Sequence, residues 1–231
     1  SYKKKVADMK LLTEIERKAE AGQSLTGQEL AFLYEVNLPI EGFGYERDHR
    51  NEQLRSQRNP EEDMPIVFDC EPSQIARHTG QINQNTRAYV GPLTPGIFPL
   101  IQNHNLEHVY TSFPEGKIRI EKNFNVAPIT SSEFEERRQE YNRNVNDESL
   151  KIKTSEYAAS MMKNPDYITL TEPEELDLVR LHVKDLGLKK EYPTTTEVFA
   201  QAEQLGLELC PAEFGPQYRL QKTDQPMGNW F

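Results

Sequence analysis

With 231 residues the chain suffices for one large domain or two small ones, and 36% hydrophobic against 28% charged residues is lean enough to point to an open or multi-lobed shape. Its 27 Lys and Arg are outnumbered by 37 Asp and Glu, and a net charge of −10 excludes nonspecific attraction to nucleic acid or to an anionic membrane surface. No apolar run approaches the roughly 20 residues that span a bilayer, and charges interrupt the basic start "SYKKKVADMKLLTEIERKAEAG" throughout, so a cytoplasmic protein is expected.

Val6, Met9, Leu12, Ile15 and Ala19 recur at steps of three and four, which predicts a helix ending near Gly22. In "SLTGQELAFLYEVN", Thr26 and Glu29 form a capping box for a second helix buried through Leu30, Leu33 and Tyr34. The short connection between them implies an antiparallel hairpin. "PIEGFGYERD" breaks the helical period, and "RNEQLRSQRNPEEDMP" predicts a short polar helix closed by Asn59-Pro60.

Beyond residue 60, "PIVFDC" (65–70), "RAYVG" (87–91) and "HVYTSF" (108–113) read as three strands about 20 residues apart, each rich in β-branched or aromatic residues. Short crossovers between them fit a parallel sheet, favoured over a solenoid-like coil because only three units are visible and no leucine consensus repeats. "KIRIEK" alternates as a further strand. "TSSEFEERRQEYNRN" predicts a surface helix capped by Ser131 or Ser132, and another helix begins at Thr154. "DYITL" opens the C-terminal part, "LDLVRLHVKDLGL" fits a strand (Val179, Leu181, Val183 alternating), the favoured reading, or a helix, and "LELC" and "QYRLQK" read as strands after a Thr-capped helix in "TTTEVFAQAEQLG" that stops at Gly206. The expected class is α/β, with α+β as the variant. Its segments are 1–60 (helical hairpin and connection), 61–165 (central α/β region with a helical extension) and 166–231 (C-terminal α+β module).

The stretches "ELAFLYE", "IEGFGYERD", "RNPEEDMPIVFDC", "HVYTSFPEGKI" and "LGLELCPAEFGPQYRLQ" resemble an uncharacterised family of predicted bacterial proteins. The resemblance touches the hairpin, the central strands and the C-terminal module, and it implies no activity. That family's C-terminal module continues past "QPMGNWF" into a Trp-containing, strand-rich end. The resemblance therefore implies that the last module here lacks part of its sheet, being incomplete or completed by another molecule.

Among chemistry-bearing residues, Cys70 ends a predicted strand, where a nucleophile sits well above a parallel sheet, and His78 follows as a candidate base. The alternative is a buried thiol, the common state of a free cysteine, and Cys210 before Pro211 reads still more as core. The two cysteines lie far apart in unlike settings, which gives a disulfide no support and completes no zinc site. His104 and His108 have i,i+4 spacing, but the segment leaves a helix there and no third ligand is near, so no metal is expected. Tyr110, Thr111 and Ser112 with Glu133 and Glu135 downstream resemble an ADP-ribosyltransferase pattern, without the arginine strand that fold needs. No dinucleotide or Walker-type loop occurs, so no cofactor is expected.

Arg47, Arg50, Arg55 and Arg58 are interleaved with acids and read as an ion-paired helix face. Phe43 and Tyr45, beside Gly42 and Gly44 and close to Arg47 and Arg50, fit an exposed contact loop, because aromatics and arginine are favoured binding anchors. The leading expectation is a non-enzymatic module that binds a protein partner through this region or a sheet edge. The alternative is a small cysteine-dependent enzyme using Cys70 and His78.

Overall fold

The structure, a computed structural model, describes residues 2–43, 48–167 and 169–223. In chain order the elements are α1 (Tyr2–Glu20), α2 (Gly27–Leu33), α3 (His49–Ser56), α4 (Pro60–Val67), β1 (Ile75–Ala76), β2 (Ala88–Val90), α5 (Ile97–Asn103) and β3 (His108–Tyr110). Then come β4 (Arg119–Val126), α6 (Ser131–Arg143), α7 (Glu156–Met161), β5 (Glu174–Arg180), α8 (Thr195–Gln204) and α9 (Phe214–Gln221). The class is α/β, with a three-stranded parallel sheet and a separate two-stranded antiparallel one. Two compact units divide the chain: Ser1–Arg119 with Arg180–Leu207, and Ile120–Val179 with Glu208–Phe231. This division differs from the three consecutive segments expected from sequence, because the hairpin and the parallel strands share one unit and 180–207 returns to it.

In the first unit the α1–α2 hairpin forms as its periodicity predicts. Leu12, Ile15, Leu30 and Leu33 are fully buried, and Gly22 supplies the left-handed turn at φ +66° after α1. The capping box is present: Thr26 accepts from the Glu29 N–H, and the Glu29 carboxylate accepts from the Thr26 N–H at 2.8 Å. Lys18 adds a 2.5 Å ion pair to Glu29. That pairing, the largest influence, holds the Glu29 carboxyl below the usual carboxylate range.

"PIVFDC", expected as the first strand, instead closes α4. Asn59 caps that helix, Pro60 occupies its first turn with Glu61, Glu62 and Asp63, and Met64 and Phe68 bury at helical spacing. The place in the sheet goes to the two-residue β1. Strand order is β1-β2-β3, all parallel, with Ile75 beside Ala88, Ala88 beside His108, and Val90 beside Tyr110. The strands thus start at 75, 88 and 108, not at a regular step of about 20. Met64 of α4 and Phe68, which caps it, pack on the face carrying Ala88, Val90 and Tyr110.

Helix α8 docks end-on against α5: the Gln204 and Leu205 carbonyls accept from the Gly96 and Phe98 N–H groups at 2.9 and 3.1 Å. Gly206 follows at φ +85°, where a Cβ would lie 2.4 Å from Pro99 Cδ.

In the second unit β4 pairs with β5, Ile129, Phe134 and Ile152 form a small core, and Phe124 packs against Phe214 and Tyr218. "QYRLQK", expected as a strand, lies mostly in α9. Phe214, Gln217 and Tyr218 share a helical face, and the Gln217 and Gln221 side chains donate to the Ala127 and Asn125 carbonyls at 2.8 Å each. "LELC" is not a strand, whereas the strand reading of "LDLVRLHVKDLGL" holds as far as Arg180, the end of β5. The cap of α6 is Thr130 rather than a serine, and α7 is capped by Ser155 rather than begun at Thr154.

Candidate functional site

The segment after α2 leaves the helix at Glu35, whose φ is +52°, and is then pinned residue by residue. The Ile40 N–H donates to Glu35 Oε1 at 2.8 Å, and the Pro39 carbonyl accepts from Lys4 Nζ at 2.9 Å. The Glu41 N–H donates to Asp8 Oδ2, also at 2.8 Å. Lys4 also reaches Asp8 at 2.6 Å and Glu41 at 3.5 Å. One lysine and one aspartate of α1 therefore fix the backbone at 39 and 41.

The large apolar side chains flanking that fixed backbone point outward. Leu38 is 62% exposed, Phe43 58% and, from the start of α1, Tyr2 76%. The Tyr2 and Phe43 rings meet at 5.8 Å between centroids, tilted by 60°. Of the residues expected to bind, Phe43 is thus on the surface, while Tyr45 and Arg47 lie outside the described residues. Arg50 faces inward to its own fold: it bonds Asp48 at 2.8 Å, Glu16 at 3.2 Å and Thr13 Oγ1 at 3.0 Å. Those carboxylates, Asp48 first, raise its pKa further. Tyr2 and Leu38 were missed from sequence. Their signal was faint: Leu38 stands before Pro39, beyond the apolar period of α2.

The remaining arginines are also internal clamps. Asp63, 4% exposed, accepts from Tyr34 OH at 2.6 Å and from Arg58 Nε and Nη2, each at 2.6 Å. Arg55 donates to the Leu33 carbonyl at 2.6 Å and to Glu35 at 3.1 Å, with its guanidinium 5.8 Å from the Tyr34 ring centroid. Burial, followed by the Asp63 bond, pushes the Tyr34 phenol far up. From Tyr34 a run of rings leads to the sheet through Phe113, Tyr110 and Phe68 to His108, with successive centroids 4.4–5.4 Å apart.

Cys70 lies beside this run, half-buried against the Met64–Phe68 cluster. Burial pushes its thiol up, outweighing the opposite pull of Arg87. His78 precedes a 3-10 turn over Thr79–Gln81 and makes no side-chain cap bond to it. The thiol shift is opposite to what activation of a nucleophile needs. Cys210, expected in the core, is exposed, and both cysteines are free.

His104 Nδ1 sits 3.0 Å from the Leu100 carbonyl at the end of α5, whereas His108 stacks flat on Phe68 at 4.4 Å. Burial chiefly holds the His108 imidazole below its usual pKa. Among the described residues no cluster of three His, Cys, Asp or Glu suits a metal ion. Tyr110 OH is buried without a partner, and Glu133 serves as the capping acid of α6, bonding Thr130 at 2.8 Å. In the second unit a shallow depression of ≈ 520 Å³ is lined by Gln139, Asn142, Arg143, Val145, Asn146 and Lys151. Asn142 is engaged with the Ile152 backbone, and Lys151 is paired with Glu148. No helix among the described residues is long and apolar enough to cross a membrane.

Comparison with known proteins returned no matching family model, no matching curated protein and no matching solved structure.

Proposed function

We propose that the protein is a non-enzymatic interaction module that engages a protein partner through Tyr2, Leu38 and Phe43. The observation that carries this reading is the contrast between a backbone fixed by Lys4, Asp8 and Glu35 and the apolar side chains it displays. A loop held in place forfeits little conformational entropy on docking, and aromatic anchors contribute a large share of binding energy. The resemblance to an uncharacterised bacterial family is compatible with this reading and adds no activity to it. A cytoplasmic setting, with no cofactor and no nucleic acid, is part of the proposal.

The test is capture of partners from a native lysate on the intact chain, quantified by mass spectrometry, with Phe43→Ala alongside. A stoichiometric partner retained by the parent chain and lost by the variant is expected. Capture that is indifferent to Phe43 would sink the reading. The cysteine-enzyme alternative is left with no favouring observation.

A further inference from the structure

We infer that the partner segment docking at Tyr2, Leu38 and Phe43 is acidic and carries large apolar side chains of its own. This rests on the interaction reading above and adds the chemistry of the partner. The chain is acidic overall, at −10, yet its first helix opens with Lys3, Lys4 and Lys5, and no acidic residue occupies that first turn. Lys4 is consumed by Asp8 and Glu41. Lys3, Lys5 and Lys10, by contrast, have no carboxylate within ion-pair distance among the described residues, although acids outnumber bases in the sequence.

Lys5 stands one helical turn from Tyr2, while Lys3 and Lys10 share a second line along the helix. Lys3 and Lys5, next to Tyr2 in sequence and one turn on, therefore bring to the Tyr2 end of α1 positive charge that no carboxylate pairs among the described residues. A partner with apolar side chains fills the aromatic surface, and carboxylates around those side chains meet the lysines. Complementarity of this kind sets specificity and association rate more than affinity. An anionic membrane offers charge but no projecting apolar side chains to fill the surface around the two rings, and it is the outcome that a vesicle arm separates from a peptide partner.

The experiment titrates the intact chain with three short synthetic peptides of equal length, one alternating Glu with Leu and Phe, one with Lys in place of Glu, and one with Ser in place of Leu and Phe. Vesicles of phosphatidylcholine doped with phosphatidylserine form a fourth arm. The Glu/Leu/Phe peptide alone is expected to bind. Its affinity should drop roughly tenfold in Phe43→Ala and in the combined Lys3→Gln, Lys5→Gln, Lys10→Gln variant, the scale of an anchor truncation, and fall with added salt. Thermal melts establish that both variants are folded. Equal binding of the Lys peptide, no binding of the Glu peptide, insensitivity to the lysine changes, or binding to vesicles alone overturns the inference. The two readings fail separately: a lysate partner lost with Phe43→Ala but indifferent to the lysine variant keeps the interaction reading and removes the acidic partner.

Discussion

Two regions of the first unit are built from the same residue types and put them to opposite uses. Around Tyr34 an aromatic ring, a carboxylate and two arginines turn inward. Asp63 holds the phenol and Arg58, Arg55 lies near the ring, and the rings beyond continue to His108 on the sheet. Around Tyr2 and Phe43 only the charges turn inward, through Lys4 and Asp8, and the rings face solvent. The difference shows that a charged cluster is not itself a marker of function. What distinguishes the second region is that its polar groups satisfy the backbone and leave apolar surface unspent.

Breaking the inward region is expected to produce the largest change. Asp63→Ala leaves Arg58 and the Tyr34 hydroxyl without their shared acceptor and should cost about 3 kcal/mol, near the lower bound for a broken buried pair because Arg58 is partly exposed. Denaturant unfolding checks it, and a loss within experimental error would mean that the clamp is incidental. Tyr110→Phe should act in the other direction. Removing a buried hydroxyl that has no partner should stabilise by about 1 kcal/mol, whereas a clear loss in calorimetry would reveal an acceptor for that hydroxyl.

His108 makes the same region pH-sensitive. Burial, with Arg87 and Lys117 acting in the same sense and Glu107 against, holds its folded pKa below the unfolded value. The unfolded chain then takes up a proton that the folded chain refuses. This contribution is complete above about pH 6.5 and is lost as pH falls below it toward the folded value. Urea midpoints for His108→Phe, which keeps a ring against Phe68, should show a flatter slope through that window than the parent chain. An unchanged slope would remove His108 as its source. The smallest effect belongs to the outward region: Phe43→Ala and Leu38→Ala should each alter stability by less than about 0.5 kcal/mol. A larger loss in the same urea titration would mean that these side chains serve the fold rather than a partner.

Local determinants made the helices legible in the sequence, although the caps of α6 and α7 fell one residue or so from where they were read. The capping boxes at Thr26–Glu29 and Thr194–Glu197 form between residues three apart, and both are present. "PIVFDC" misled because Ile66 and Val67 carry β propensity, while the helix was already committed by Asn59, Pro60 and the acids after them, and Met64 and Phe68 had a sheet face to cover. "QYRLQK" misled in the same way, since the glutamines that make α9 useful answer the carbonyls of Asn125 in β4 and Ala127 just past it, far off in sequence.

Of the candidate site, Phe43 could be read from its flanking glycines. The anchors Lys4 and Asp8 could not, because their partners lie more than thirty residues away and no periodicity links them. Cys70 and His78 show what spacing alone leaves open. Eight residues of separation suggest a pair, but the burial that pushes the Cys70 thiol up comes from Met64 of α4 and Phe68, its cap, which the spacing to His78 does not reveal.

Gly206 bears on how the chain tolerates change. After residues 120–179 have contributed to another unit, 180–207 must rejoin the first, and the junction is made where α8 meets α5 with no room for a Cβ beside Pro99. A single missing methyl group thus keeps a discontinuous unit closed. Every side chain other than hydrogen at this position wedges the returning segment off its seat, so variation accepted along the exposed face of α8 should stop abruptly at its end.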